Sequence, residues 1–184
     1  MDIAQQAPET VIVAEDEATL YLQATTTSVW APKGQTPVVA VHPDRQKVSF
    51  YGSLNLATGQ VVSSRVQTMN SKATAEHLHL LLQTYPDRPI LLLWDRARWH
   101  GGATVNDLLA AHPRLEVMNF PPASPDLNPQ EQVWKATRMA TSHNHDQRKL
   151  ETLADRFEQH LLSNTFSSSL LHKHNYFHIC ATFK

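Results

Sequence analysis

The sequence predicts an α/β domain built on a mixed five-stranded sheet with helices on both faces. Three observations carry that expectation. Short apolar runs at 10–14, 89–94 and 115–120 have the length and aliphatic content of strands. Two longer runs, Lys47–Leu56 and Val61–Met69, are joined by NLATGQ, whose Thr58-Gly59 centre marks a hairpin turn. From Ser71 onward, helical periodicity alternates with strand, the pattern of the crossover units that parallel strands require.

Taken in order, TVIVA at 10–14 is a short β-branched strand. Leu20, Leu22, Val29, Trp30 and the turn APKGQTP suggest a small irregular hairpin punctuated by Gly34 and Pro37, with Val38–Val41 adding a short strand. The long hairpin follows. Ala73, Leu78, Leu81 and Leu82 then fall at helical spacing, and Tyr85-Pro86 ends that helix. Pro89–Trp94 is a continuous apolar strand of the kind covered on both faces. Thr104–Ala111 is a short helix closed by His112-Pro113, and Leu115–Phe120 is another strand. Asn128 opens a helix carrying Val133, Trp134 and Thr137. Leu150, Leu153, Phe157 and Leu161 form the apolar stripe of a final amphipathic helix, expected to pack in the core. Trp30 and Trp134 are both expected to pack rather than to stack on bases.

Composition bounds the function. The 184 residues, 41% hydrophobic and 18% charged, suit one globular domain over 1–184. No apolar stretch approaches the roughly 20 residues that span a bilayer, and MDIAQQAPET lacks the basic start and apolar core of a secretory signal. The single cysteine, Cys180, excludes an internal disulfide framework and a thiolate metal cluster, and fits a reducing, cytoplasmic setting. Net charge is −1, so any affinity for nucleic acid needs local basic patches or a partner. His172, His174 and His178 cluster near the C-terminus; solvated surface imidazoles are the plainer reading there, a metal tail the sharper one.

Acids placed after apolar runs carry the chemistry. Asp95 follows LLLW, where an ionised group is costly unless paired or bound to a cation. An ion pair with Arg96 or Arg98, or a cap on the next turn, would also explain it. His100, five residues on, could orient a phosphate or pack. Glu131 follows Asn128-Pro129-Gln130 and falls where a first-turn carboxylate bonds back to a helix cap, so capping alone could account for it. At the N-terminal strand the choice lies between Asp16 and Glu17. Alternation sets Ile12, Ala14 and Asp16 on one face and Val13, Glu15 and Glu17 on the other. With both faces covered this does not decide. Asp16 has the shorter arm and lies nearer the expected strand end, so it is preferred as ligand, with Glu17 left as a partner or surface charge. Three converging carboxylates would make an oxygen cage for hard cations.

VAEDEATL, WAPKGQTP, FYGSLNLATG, LLLWDRARWH and above all FPPASPDLNPQEQVWKATR together resemble the catalytic domain of IS630/Tc1/mariner-type DDE transposases, closest to bacterial IS630-family insertion sequences, over about residues 10–175. The aspartate-x4-histidine pattern of Asp95 and His100, and the thirty-five residues between Asp95 and Glu131, match that family. Where the family often has asparagine after its second aspartate, this chain has Arg96. The resemblance implies a ribonuclease H-like fold with Asp16, Asp95 and Glu131 as catalytic metal ligands. They would hold two Mg²⁺ ions, Mn²⁺ being able to substitute. It implies DNA cleavage at transposon ends and strand transfer into target DNA, cut-and-paste at TA dinucleotides. Arg96, Arg98, His100, Lys135 and Arg138 are the candidate DNA contacts. Full-length relatives carry an N-terminal helix-turn-helix domain that this sequence lacks, so a separate DNA-binding protein or missing domain is expected as a partner, with a homodimer and a bacterial, nucleoid-associated location as further expectations and no membrane. Three other readings stand beside it: an inactive DNA-associated or assembly-only remnant, another ribonuclease H-like nuclease, and a purely structural protein whose acids cap helices.

Overall fold

The computed structural model describes residues 9–39, 41, 43–122 and 124–166. His172, His174, His178 and Cys180 lie outside the described residues. Among the described residues the strands are β1 (Val11–Tyr21), β2 (Lys47–Asn55), β3 (Val61–Val66), β4 (Ile90–Trp94) and β5 (Leu115–Asn119), in one five-stranded sheet of order β3-β2-β1-β4-β5. β1 pairs antiparallel with β2 and β2 with β3, whereas β1 with β4 and β4 with β5 are parallel. The expected mixed sheet is therefore present: the hairpin supplies its antiparallel part and the crossovers its parallel part. Among the described residues the α-helices are α1 (Ser71–Thr84), α2 (Ala103–Ala111), α3 (Gln130–Thr141) and α4 (Leu150–Ser163).

Local chemistry places the joints. In the β2–β3 turn the Asn55 side chain accepts from the Ala57 and Thr58 amides, and Gly59 takes φ 73°, which a side chain would resist. Asn70 caps α1 by accepting from the Ala73 amide.

Helices cover both faces of the sheet. Ala14, Ala18 and Leu20 of β1 and Phe50 and Leu54 of β2 pack against Val133 and Trp134 of α3 and Leu153, Phe157 and Leu161 of α4. Phe157 sits between Phe50 and Trp134, with ring centroids 5.0 and 6.2 Å away. On the other face Val11, Val13 and Leu92 meet Leu78 and Leu81 of α1 and Val105 and Leu108 of α2. We call these the front and back faces. The expected apolar stripe of the last helix and the packing of Trp134 are both observed.

Four expectations are corrected. The first strand does not stop at residue 14: its pairing with β2 runs on to Tyr21↔Lys47, so Asp16 is mid-strand. β3 ends at Val66 rather than Met69, since Asn70 already caps α1. Among the described residues of 38–41 there is no strand. The segment after β1 is pinned instead at Thr25 and Thr27: Thr25 Oγ1 lies 2.6 Å from His143 Nδ1, and Thr27 and Asn144 exchange two hydrogen bonds of 3.0 Å. Trp30, expected to pack, is fully exposed in that segment.

Candidate active site

The parallel pairing of β1 with β4 ends at Ala14↔Leu93, two residues before Asp16, and β4 ends one residue before Asp95. Both acids thus lie beyond the last parallel ladder rung, where open α/β sheets form their clefts. Helix α3 brings the third. Asn128 is buried and bonds in two directions: its Nδ2 donates to the Glu15 carbonyl at 3.1 Å, and its Oδ1 accepts from the Gln130 amide at 3.1 Å. One side chain thereby caps α3 and ties its start to β1 beside Asp16. Gly52, the β2 partner of Asp16, completes the fit: a Cβ there would lie 2.4 Å from Gln130 Nε2 and 2.5 Å from the Trp134 ring. The helix rests directly on sheet backbone.

The outcome is a cleft of about 370 Å³ lined by Asp16, Asp95, Glu131, Arg96, Asn128 and Phe120, among others. The structure brings the three sequence-predicted acids to this one cavity. Alternation, which did not choose between Asp16 and Glu17, now separates them, because α3 covers the Asp16 face. The Asp16 carboxyl is pushed up to about 7, first by burial and then by the Glu131 charge, with Glu17 and Asp95 adding to the shift and the Glu17 backbone amide opposing it. Its side-chain donor is Trp134 Nε1, at 3.2 Å. Asp95 is half exposed; its Oδ1 accepts from the Ala97 amide at 2.7 Å, so the turn-capping alternative is realised, and no ion pair joins it to Arg96 or Arg98. The Glu131 carboxylate is exposed and bonds to no described residue. Only half of the capping-box alternative forms: Asn128 accepts from the Gln130 amide, but the Glu131 carboxylate does not bond back to the cap.

Behind Asp16, on the back face, lies a second group that sequence reasoning missed. Glu17, left open as a partner or surface charge, is enclosed: its side chain is 5% exposed, and its Oε1 accepts from Trp99 Nε1 and lies 2.8 Å from His100 Nε2. Glu15 Oε2 lies 3.3 Å from the same nitrogen, with the side chain 1% exposed. Burial, then the charges of Glu17, Asp16 and Asp95, raise the Glu15 carboxyl well above its usual range. His100 stacks on Trp94 at 4.2 Å, and its Nδ1 lies 3.0 Å from the Asp95 carbonyl. Burial works against its charged form, but the hydrogen bond and charge of Glu17, then Asp95, bring its pKa up on balance. Glu15, Glu17 and His100 could coordinate a divalent metal ion: one ligand atom from each lies within 4.8 Å of the others. The alternating EDE of residues 15–17 together with the Asp95-x4-His100 spacing was the signal available for this group.

The remaining candidates divide. His100 is buried at the back, so of its two expected roles it packs, and it presents no surface to a phosphate. Arg96 lines the front cleft. Arg98 is exposed elsewhere, beside Asn70, Ser71 and Trp99. Lys135 and Arg138 follow Glu131 at i+4 and i+7 of α3, hence on one ridge leading away from the cleft, with Lys135 exposed and Arg138 partly so.

The family model described as DDE superfamily endonuclease matches residues 11–154. The chain belongs to that family. A protein of Shigella sonnei described as "Insertion element IS630 uncharacterized 39 kDa protein" is 26% identical to this DDE chain over 132 residues, covering 71% of the chain and 38% of that protein. The Mos1 transposase paired-end complex with left transposon end superposes with TM-score 0.69 at 18% identity, over 99% of this chain and 58% of that one. The catalytic domain of Mos1 mariner transposase gives TM-score 0.64 at 16% identity, over 99% of this chain and 86% of that one. The resemblance to the IS630/Tc1/mariner group and the ribonuclease H-like architecture agree with these findings. The chain spans well under half of the IS630 protein and a little over half of the Mos1 chain.

Proposed function

We propose that this DDE domain is the catalytic unit of a transposase, which cuts DNA at the ends of an element and joins the freed 3′ hydroxyls to target DNA, with TA as the target dinucleotide. The observation that carries the reading is the convergence of Asp16, Asp95 and Glu131 on one cleft, with no lysine or arginine ion pair to any of the three among the described residues.

The donor set suits hard divalent cations. It offers carboxylate oxygens only, and Asp16 is raised by burial first and then by the neighbouring Glu131 charge, costs that a cation would relieve. Asp16, Asp95 and Glu131 are the residues that would hold two Mg²⁺ ions, with Mn²⁺ able to replace them. Bound there, the ions would supply a deprotonated water and stabilise the attacking and leaving oxygens of a phosphodiester. The chain's own contribution is position. Trp134 orients Asp16, Asn128 and Gly52 seat α3, and the Ala97 amide fixes one oxygen of Asp95 so that the other is free for a ligand. Arg96 at the cleft, with Lys135 and Arg138 along α3, would take the DNA phosphates. Recognition of the element's ends is assigned to a helix-turn-helix module outside this domain, since a net charge of −1 supplies little of the phosphate attraction that DNA binding needs. A homodimer would hold two ends together. The Mos1 relatives are described as a paired-end complex and a strand transfer complex, which supports extending that chemistry to this chain.

The test is an assay of the purified chain on pre-cut and nicked ends with Mg²⁺ or Mn²⁺. Joining of a 3′ hydroxyl to target DNA, reduced by about 100-fold or more in Asp95→Asn, is the expected result. Equal behaviour of the two proteins would end the enzyme reading in favour of an inactive remnant. Metal-dependent cutting without joining would leave a ribonuclease H-like nuclease.

A further inference from the structure

We propose that Glu15, Glu17 and His100 form a separate binding site for one imidazole-favouring divalent transition-metal ion, of the Zn²⁺ class, on the face of the sheet opposite the acidic cleft. The site does not depend on the proposed reaction: its three ligands are not those of the cleft, although His100 touches Asp95 through Nδ1.

The first argument is the orphaned charge. Glu15 is 1% exposed, and neither of its carboxylate oxygens has a hydrogen-bond partner among the described residues. Buried polar groups are almost always satisfied, and a buried carboxylate left without a donor is especially costly. Its Oε2 is aimed at His100 Nε2, 3.3 Å away.

The second argument is the orientation of the ring. His100 Nδ1 faces the Asp95 carbonyl at 3.0 Å and Asp95 Oδ1 at 3.1 Å, both acceptors, so Nδ1 carries a hydrogen. In the neutral ring Nε2 is then a bare lone pair directed at two carboxylates, which repels unless a proton or a metal cation lies between. A histidine that donates through one nitrogen to a carbonyl and presents the other to a metal is the usual arrangement around metal ligands. Stacking on Trp94, with 5° between the planes, holds the ring in that orientation.

Distance and donor type then select the ion. For a tetrahedral ion with bonds of about 2.0–2.2 Å, ligand atoms sit about 3.3–3.6 Å apart; Glu15 Oε2 is already 3.3 Å from Nε2, and Glu17 Oε1, 2.8 Å from Nε2, would have to move outward to share the ion. One imidazole nitrogen and two carboxylates favour Zn²⁺, Co²⁺ or Mn²⁺ over Mg²⁺, which keeps to oxygen and gives up its waters reluctantly. Trp99 closes the site by donating to Glu17, so exchange of the ion requires this indole to move. The ion would tie the middle of β1 to the turn after β4, the two segments that carry Asp16 and Asp95.

The full chain carrying Asp16→Asn and Glu131→Gln, stripped with chelator, isolates this site from the cleft. Titrated with Co²⁺, it is expected to take up one ion per chain with the visible absorption of a low-coordinate nitrogen–oxygen site. Added Zn²⁺ should raise its Tm and displace the His100 Nε2 resonance in ¹⁵N spectra. Adding Glu15→Gln, which keeps the shape, should weaken Co²⁺ binding by about tenfold or more and abolish the Tm rise, while leaving Tm in chelator unchanged or higher. His100→Asn should do the same to binding. Failure to bind, binding that survives both substitutions, or an Nε2 that keeps its proton under saturating Zn²⁺ would overturn the proposal, the last showing a protonated imidazolium bridging the two acids. Should both variants fail to fold, the ¹⁵N spectrum of the parent still decides.

Discussion

The two faces of β1 carry acids one residue apart and treat them in opposite ways. At the front, Asp16 shares an open cleft with Asp95 and Glu131, and Glu131 bonds to nothing described. At the back, Glu15 and Glu17 are enclosed by His100 and Trp99. Carboxylates alone therefore say little about a site. What distinguishes the front is access to solvent combined with charges brought together and not neutralised; what distinguishes the back is burial around one imidazole.

The sharpest way to break this contrast is to remove a front acid. Glu131→Gln is expected to lower joining activity by about 100-fold or more without loss of stability in chelator, because the carboxylate bonds to no described residue; loss of fold instead would make it a structural acid. Next comes the seat of α3. Gly52→Ala should cost about 1–3 kcal/mol by overpacking Gln130 and Trp134, read as a lower denaturant midpoint with unchanged slope, and should reduce activity with all three acids intact. Asn128→Ala is expected to cost about 0.5–2 kcal/mol through the lost cap, with activity falling by more than that stability loss would explain, since the tie to β1 goes as well.

Acid–base titration separates the faces more finely. In chelator, Asp16 has a folded pKa of about 7 against an ordinary 3.8, so its contribution is fully present below about pH 4 and is lost as pH rises through 7. His77, buried between Ser53 and Ser64 and brought down to about 3 by burial, does the reverse: its contribution is present above about 6.5 and is lost as pH falls toward 3. Denaturant midpoints between pH 8 and 4 should show Asp16→Asn gaining less on mild acidification than the parent, and His77→Gln losing less below pH 6. The smallest effect is expected from Lys135→Ala and Arg138→Ala, each lowering the salt slope of DNA binding by about 1 if it meets a phosphate.

Much of this was legible in the text. Thr58-Gly59 announced the hairpin, the spacing of Ala73, Leu78, Leu81 and Leu82 the first helix, and the alternating second half the parallel strands, because each is a local signal. The length of β1 was not: residues 15–21 are polar enough to read as its end, and only distant pairing with β2 extends them. The candidate site was partly legible. Asp95 and Glu131 stood out by context, but the choice of Asp16 over Glu17 depends on which helix covers which face, a fact of topology rather than of spacing. Glu15 gave no sign of its burial, because burial is decided by His100, some 85 positions away in the chain. Trp30 misled, since apolar character was taken for packing whereas the side chain is fully exposed.

The alternation of β1 has a mechanical corollary. Were this strand to shift by one position along β2 and β4, every side chain would change face: the cleft would receive two longer glutamates, and an aspartate would be driven against His100. Nothing in the composition of the strand would have altered, yet both constellations would be dismantled at once. The alignment held by Asn128 and the β2 hairpin is thus as necessary to the chemistry as the acids themselves.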